Sequence, residues 1–279
     1  MSQQLTLGYS PCPNDTFIFH ALIHGLIPTG DLCFRERLED VETLNRLALE
    51  GTLDLTKISY HALGHLRDDY ALLRSGGALG RGCGPLVVTT GATTTMEDLK
   101  GKKIAIPGRL TTANLLLQLY GEGFEDVLIL PFDQIMAAIR SGQVEAGVII
   151  HESRFTYQAH GLTQVADLGA WWEQETGLPI PLGGILAKRS LGAATIARVE
   201  AALRASVAYA QSHPESSRAY IRQHSQELAD DVIASHIALY VNPFSLDLGE
   251  EGVRAVETLL QRAEERGIVP PSRQPLFVT

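Results

Sequence analysis

His151 is the side chain in this 279-residue sequence best suited to proton transfer. An unperturbed imidazole titrates near pH 6.5, so it can accept a proton at neutrality without a metal. It ends the segment IMAAIRSGQVEAGVIIH (Ile135 to His151), which reads as an amphipathic helix, a glycine and a buried strand. The same plan occurs earlier in LNRLALEGTLDLTKISY (Leu44 to Tyr60). Gly51 matches Gly142, Leu53 matches Val144, Asp54 matches Glu145, Ile58 matches Ile149, and Tyr60 matches His151. A weaker echo lies upstream, where LGYSPCPNDT (Leu7 to Thr16) parallels IAIPGRLTTA (Ile104 to Ala113), each a strand, a proline turn and a polar helix start. The alternative for His151 is a hydrogen-bonded histidine lining an interface between lobes.

Two such units facing each other place their strand ends at one cleft. In open α/β sheets ligands bind beyond the carboxyl ends of the strands, where helix N-termini gather with unpaired N–H groups. The first unit offers Asn14, Asp15, Thr16, Lys57 and Ser59 there, and the second offers Thr111, Thr112, Ala113 and His151. Small hydroxyl residues ahead of a helix suit a carboxylate, so a small anionic organic ligand is expected. Arg81, in the glycine-rich GGALGRGCG, can reach an anion, and Arg154 can do the same or pair with Glu152. That glycine run lacks the Lys-Ser/Thr ending of a phosphate loop and reads as a flexible approach to a hinge. The pairs His20/His24 and His61/His65 have the i, i+4 spacing of metal ligands but no HExxH glutamate and no third ligand, so they read as solvated helix histidines. Trp171 and Trp172 read as a buried interface patch in preference to a ring-stacking site.

The elements that position these residues follow from periodicity and turn chemistry. Strands are expected at Leu5 to Tyr9, Asp31 to Arg37 and Leu53 to Ser59, with a helix capped by Asn14 or Asp15 and another over Val41 to Leu49. The order is βαβαβ. A short helix is expected at Met96 to Lys102, after which the pattern repeats from Lys103 to Ile150. The extended stretches Pro85 to Thr90 and LPIPLGGILAKR (from Leu178) read as a two-strand hinge, followed by a C-terminal helical segment. The fold class is therefore α/β with two lobes: residues 1–91 with 185–279, and residues 92–184.

A chain of this length buries roughly three quarters of its unfolded surface. The 45% apolar composition is ordinary for a globular protein, and no apolar run reaches the roughly 20 residues of a membrane span. Net charge is −9, with lysines and arginines scattered apart from KGKK (Lys100 to Lys103), which disfavours a nucleic-acid partner. Three widely spaced cysteines without a CxxC pair, and a start with no leader pattern, point to the cytoplasm. Nothing in the sequence marks an oligomeric surface.

Longer stretches resemble a known enzyme family. SPCPNDTFIF (Ser10 to Phe19), LEDVETLN (Leu38 to Asn45), LTKISYHA (Leu55 to Ala62), RSGGALGRGCGPLVV (Arg74 to Val88), IIHESRFTY (Ile149 to Tyr157), DLGAWWEQETGLPIPLGGILAKR (Asp167 to Arg189) and NPFSLDLGEEG (Asn242 to Gly252) closely resemble the 1,4-dihydroxy-6-naphthoate synthases of the futalosine route to menaquinone. The resemblance implies a two-lobed, type II periplasmic-binding-protein-like fold and an enzyme without metal or organic cofactor. It also implies conversion of cyclic dehypoxanthine futalosine to the naphthoate and a small sugar-derived fragment. The family's proposed base is the histidine of HESRFTY, here His151, and its ligand-contacting stretches match Lys57-Ile58-Ser59 and Thr112-Ala113. Two rival readings are a chorismate dehydratase of the same pathway and a non-catalytic protein that binds small anions.

Overall fold

The repeated helix, glycine and strand unit closes in the same way in both copies. A left-handed residue after a helix turns the chain and satisfies the last carbonyls, which favours glycine. Gly51 stands at φ 64°, and the N–H groups of Gly51 and Thr52 donate to the carbonyls of Ala48 and Leu47 at 2.9 and 3.1 Å. Gly142 stands at φ 75°, and Gly142 and Gln143 donate to Ile139 and Ala138 at 3.1 and 3.0 Å. The computed structural model, which describes residues 2–91, 94–225 and 229–278, builds the two copies into separate sheets.

The chain opens with β1 (Gln3–Tyr9), α1 (Pro13–Ile23), β2 (Leu32–Leu38), α2 (Val41–Leu49), β3 (Leu55–Ser59), α3 (Tyr60–Leu66), β4 (Tyr70–Leu72) and β5 (Ala78–Gly80). It crosses to β6 (Leu86–Thr89), β7 (Ile104–Ile106), α4 (Thr112–Tyr120), β8 (Val127–Ile129), α5 (Ile135–Arg140), β9 (Ala146–Ile149), α6 (Ser153–Thr156), β10 (Thr163–Asp167) and α7 (Leu168–Thr176). It returns through β11 (Ile180–Lys188) and ends in α8 (Ala193–Ser212), α9 (Arg218–His224), α10 (Asp230–Tyr240), α11 (Pro243–Leu246) and α12 (Gly249–Glu265). The first sheet runs β2-β1-β3-β11-β4, with β5 also on β11; the second runs β10-β6-β9-β7-β8. β1 is parallel to β2 and β3, and β7 is parallel to β8 and β9, so both copies keep the βαβ arrangement.

Several boundaries differ from the expectation drawn from sequence. β6 is a central strand of the second sheet, antiparallel to β9 and β10, although a boundary at residue 91 places it in the first lobe. β11 lies wholly in the first sheet, so the crossings are the links β5 to β6 and α7 to β11. A short apolar run carries no label for the sheet it joins. Met96 to Lys102 forms successive turns, with i to i+3 bonds such as Leu99 N–H to Met96 O at 3.3 Å, and Gly101 ends it at φ 69°. Ala78 to Gly80 of the glycine-rich run is a buried strand, not a flexible approach.

The return crossing is anchored by Trp172, which is fully buried and donates from Nε1 to the Pro179 carbonyl at 3.1 Å. The Arg262 guanidinium of α12 sits over its ring at 5.5 Å, and Trp171 packs against Tyr120. On the outgoing crossing Gly84 lies against Gly169, the two backbones so close that a Cβ on Gly84 would stand 2.3 Å from the Gly169 Cα. Gly142→Ala, with open space for its methyl, should cost about 1 kcal/mol for the left-handed φ alone. Gly84→Ala must displace backbone and should cost about 3 kcal/mol, so its urea midpoint should fall well below that of Gly142→Ala.

Candidate active site

The carboxyl ends of β1, β3, β7 and β9 meet at a cleft between the sheets. Asn14, Asp15, Lys57, Ile58, Ser59, Thr111, Thr112, Ala113 and His151 all line it. Its remaining wall includes Ser10, Cys83, Pro85, Leu182, Gly183 and Tyr240.

A buried ion pair makes the floor. Lys57 Nζ donates to Asp15 Oδ1 at 2.7 Å, with side chains only 7% and 2% exposed. A pair so far from water persists only when its other hydrogen-bonding positions are filled. Asn14 Nδ2 donates to Asp15 Oδ1 at 2.8 Å, and the Ser10 N–H donates to Oδ2 at 3.2 Å. Asp15 is therefore part of the floor and not a helix cap. Pro13 occupies the first helical position, Cys12 is the N-cap, and the Cys12 carbonyl accepts from Asp15 and Thr16 N–H at 3.1 and 3.0 Å. Ser59 is clamped by the buried Asn45, whose Oδ1 accepts the Ser59 N–H at 2.9 Å.

Facing this floor is the start of α4. Thr111 caps it, its hydroxyl donating to the Gly108 carbonyl at 2.8 Å and accepting the Asn114 N–H at 3.3 Å. The Thr112 hydroxyl donates to the Leu182 carbonyl at 2.6 Å. A hydroxyl has a single proton to donate, so both are committed. The first-turn amides of Thr112 and Ala113, which have no intrahelical acceptor, are the groups left for an anion. With Lys57 neutralised by Asp15, those amides and the helix dipole are what this wall can offer a carboxylate.

His151 stands in the turn between β9 and α6 at φ 56°, and it is the one non-glycine residue with positive φ among the described residues. A left-handed backbone costs a residue with a Cβ about 1–2 kcal/mol, a strain found where surroundings over-determine a functional position. Desolvation holds its pKa below 6.5, opposed by the nearby carboxylates of Glu152 and Asp15, so the resting ring is neutral. Phe132 meets the ring edge-on with centroids 5.0 Å apart. Tyr60, its counterpart in the first copy, begins α3 directly and is fully buried, which is where the two copies diverge.

Among the described residues, Cys12, His151 and Glu152 have the donor types of a metal site, with donor atoms within 4.8 Å of one another. The edge of a zinc tetrahedron is about 3.3–3.8 Å, so this cluster must contract to hold an ion. Burial pushes the Cys12 thiol above its usual range, and Glu152 Oε2 has no partner.

Three expected site residues lie elsewhere. Thr16 is fully buried, its hydroxyl donating to the Cys12 carbonyl at 3.0 Å. Arg81 points outward to Glu251 at 2.9 Å and to the Gly177 carbonyl at 3.0 Å. Arg154 pairs with Asp167 at 2.7 Å and donates to the Gly84 carbonyl at 2.6 Å, bracing the crossing instead of meeting a ligand. Of the paired histidines, His24 and His65 are exposed as expected, while His20 and His61 are buried on helices whose inner faces the i, i+4 spacing does not reveal. Sequence reasoning missed Glu42 and His236. The Glu42 carboxylate accepts the Leu110 N–H at 3.2 Å across the cleft, and His61 Nδ1 lies 3.2 Å from the Thr111 carbonyl. With the Thr112 to Leu182 bond, these contacts tie the lobes together.

Two α/β lobes joined by two crossings, with a helix N-terminus and an ion-paired floor facing across a cleft, define a periplasmic-binding-protein-like fold. Solved structures agree. A protein from Archaeoglobus fulgidus superposes with a TM-score of 0.89 at 36% identity, over 95% of this chain and 98% of its own. The alkanesulfonate-binding protein SsuA from Xanthomonas axonopodis pv. citri, bound to MOPS, gives 0.71 at 18% identity, over 97% and 96%. The chain belongs to the family described as "Menaquinone biosynthesis", which matches residues 5–265. Two similar curated proteins are 1,4-dihydroxy-6-naphthoate synthases, from Thermus thermophilus at 57% identity over 99% of this chain and all of its own, and from Streptomyces coelicolor at 49% over 95% of each. No helix among the described residues is long and apolar enough to cross a membrane.

Burial lowers the pKa of His61 from 6.5 to about 4, so folding favours its neutral ring. The unfolded chain then binds a proton that the folded one does not as pH falls through 6.5, and stability drops until about pH 4, by about 3 kcal/mol for this residue. Urea midpoints measured from pH 7 to pH 4 should fall, and His61→Gln should remove about one proton from that dependence.

Proposed function

We propose that this chain converts cyclic dehypoxanthine futalosine to 1,4-dihydroxy-6-naphthoate and a small sugar-derived fragment. The reaction class is a carbon–carbon lyase with His151 as general base. Its strongest support is the near-full-length similarity to two proteins bearing the synthase name. The geometry of His151 is compatible with the role. A neutral imidazole at the cleft wall accepts an acidic proton from the ring-fused substrate. The electron pair released forms a ring double bond of the naphthalene as the carbon–carbon bond to the sugar-derived piece breaks, and that piece leaves with the bond's electron pair and takes up a proton. The imidazolium so formed has Glu152 and Asp15 nearby to favour it.

The substrate carboxylate is assigned to the first-turn amides of α4 at Thr112 and Ala113, over the floor of Asn14, Asp15 and Lys57, with Ile58 and Ser59 beside it. Closure of the lobes excludes water and holds the proton to be removed against the base. The step is proton transfer with bond cleavage and draws on no metal or organic cofactor. A cytoplasmic setting is part of this proposal, in keeping with the free state of Cys12, Cys33 and Cys83.

Purified, metal-stripped protein incubated with cyclic dehypoxanthine futalosine should yield the naphthoate, detected by absorbance and mass. Turnover of chorismate instead, or tight retention of ligand with no product, would sink the assignment. His151→Asn should lower kcat by about 10² to 10⁴ while ligand still binds, and wild-type turnover in that variant would remove His151 from the mechanism. Arg81→Ala, remote from the cleft, should leave KM within about twofold of wild type, as expected for an exposed ion pair.

A further inference from the structure

His236 lies on α10, in the C-terminal segment, 85 residues beyond His151, and it is fully buried. Its ring stacks on that of His151, with centroids 6.2 Å apart and planes inclined by 22°. Its Nε2 is 2.8 Å from Asn14 Oδ1. Asn14 Nδ2 already donates to Asp15, so Oδ1 is the acceptor and Nε2 of His236 carries the proton. In the neutral ring Nδ1 is then a bare lone pair, and it is buried without a partner.

A residue serving only to fill this space gains nothing from that arrangement, because an unpaired buried acceptor costs about 1–3 kcal/mol. Two features say what the ring does. His151 is held in a strained left-handed conformation, and its ring is flanked by Phe132 at its edge and His236 at its face. Asn14, which fixes His236, belongs to the same bonded floor as Asp15 and Lys57. We propose that His236 is a positioning residue for the reaction, its ring locked by Asn14 and stacked on His151 so that the base faces the cleft.

The proposal rests on the assignment of His151 as the base. The charged groups facing the two rings are Glu152, Asp15 and Asp40 as carboxylates and Lys57 as the cation. Burial, together with His151 and Lys57, keeps His236 neutral, so it adds no positive charge to oppose protonation of the base. None of the four charged groups is altered by replacing His236.

The test follows the ring of His151 by NMR titration of histidine-labelled protein, with His151→Asn assigning the signal, alongside steady-state kinetics. In His236→Ala water reaches the vacated face, so the His151 midpoint should rise toward 6.5. Turnover in that variant should fall roughly ten- to a hundredfold with KM little changed, the signature of a displaced catalytic group. His236→Phe keeps a flat ring on the stack but loses the bond to Asn14; it should hold the His151 midpoint closer to wild type than His236→Ala does and recover part of kcat. It also decides the matter if His236→Ala does not fold. An unaltered His151 midpoint and kcat in His236→Ala would overturn the proposal, as would a His236→Phe protein that folds but shifts the midpoint and loses turnover as far as an unstacked ring would. Wild-type turnover in His151→Asn would defeat the base assignment alone, leaving the midpoint comparison to decide whether His236 holds that ring.

Discussion

The Lys57–Asp15 ion pair is the constraint around which the cleft is arranged. Two charges taken out of water attract strongly but lose hydration worth several kcal/mol each, so the fold must supply every remaining bond. Ser10, after β1, and Asn14, at the start of α1, do so for Asp15, while Lys57 comes from the middle of β3. The pair thereby fixes the start of α1 against β3. It also neutralises Lys57, so the unpaired amides at the start of α4 are the groups in the cleft best suited to an anion. Asn14 extends the same bonded chain to His236, and through ring contact to His151.

The two lobes share one plan and part company at Tyr60 and His151. Gly51 and Gly142 end equivalent helices with equivalent bonds, and β3 and β9 follow in equivalent places. In the first copy the chain enters a helix at once and Tyr60 is absorbed into the core. In the second a left-handed turn intervenes, and His151 comes to the cleft wall. The left-handed backbone is the local difference that sets the ring at that wall. Closure is held from the other side of the gap by small polar contacts. Glu42, Thr112 and His61 each reach across to a backbone group, a kind of bond that forms only when the lobes are at the right separation. Burial pushes the Glu42 carboxyl up and the His61 ring down, so both contacts respond to pH through the same loss of water.

How far the sequence reaches can be seen residue by residue. Periodicity and glycine placement are local, and they gave the helices, the strands and the strand ends at Lys57 to Ser59, Thr111 to Ala113 and His151. A strand end in a βαβ unit has one possible side for a ligand, so nine of the twelve expected site residues line one cleft. Arg81 and Arg154 fall outside because a charged side chain goes to the nearest opposite charge or carbonyl that packing provides. For Arg154 that is Asp167, brought within 2.7 Å by the pairing of β6 with β10. The sheet to which β6 belongs was equally out of reach, since a four-residue apolar run fits either.

What the sequence by itself determined, then, is the local grammar: two copies of a strand, helix, glycine and strand, each presenting its polar residues at the carboxyl edge. The family resemblance rests on stretches of the same local kind. Only the tertiary structure decided which distant faces meet. His236 and Asn14 are 222 positions apart, and Glu42 and Leu110 are 68 apart. The physical reason is that burial periodicity records how much of a side chain leaves water, while the partner it meets is set by how whole layers pack.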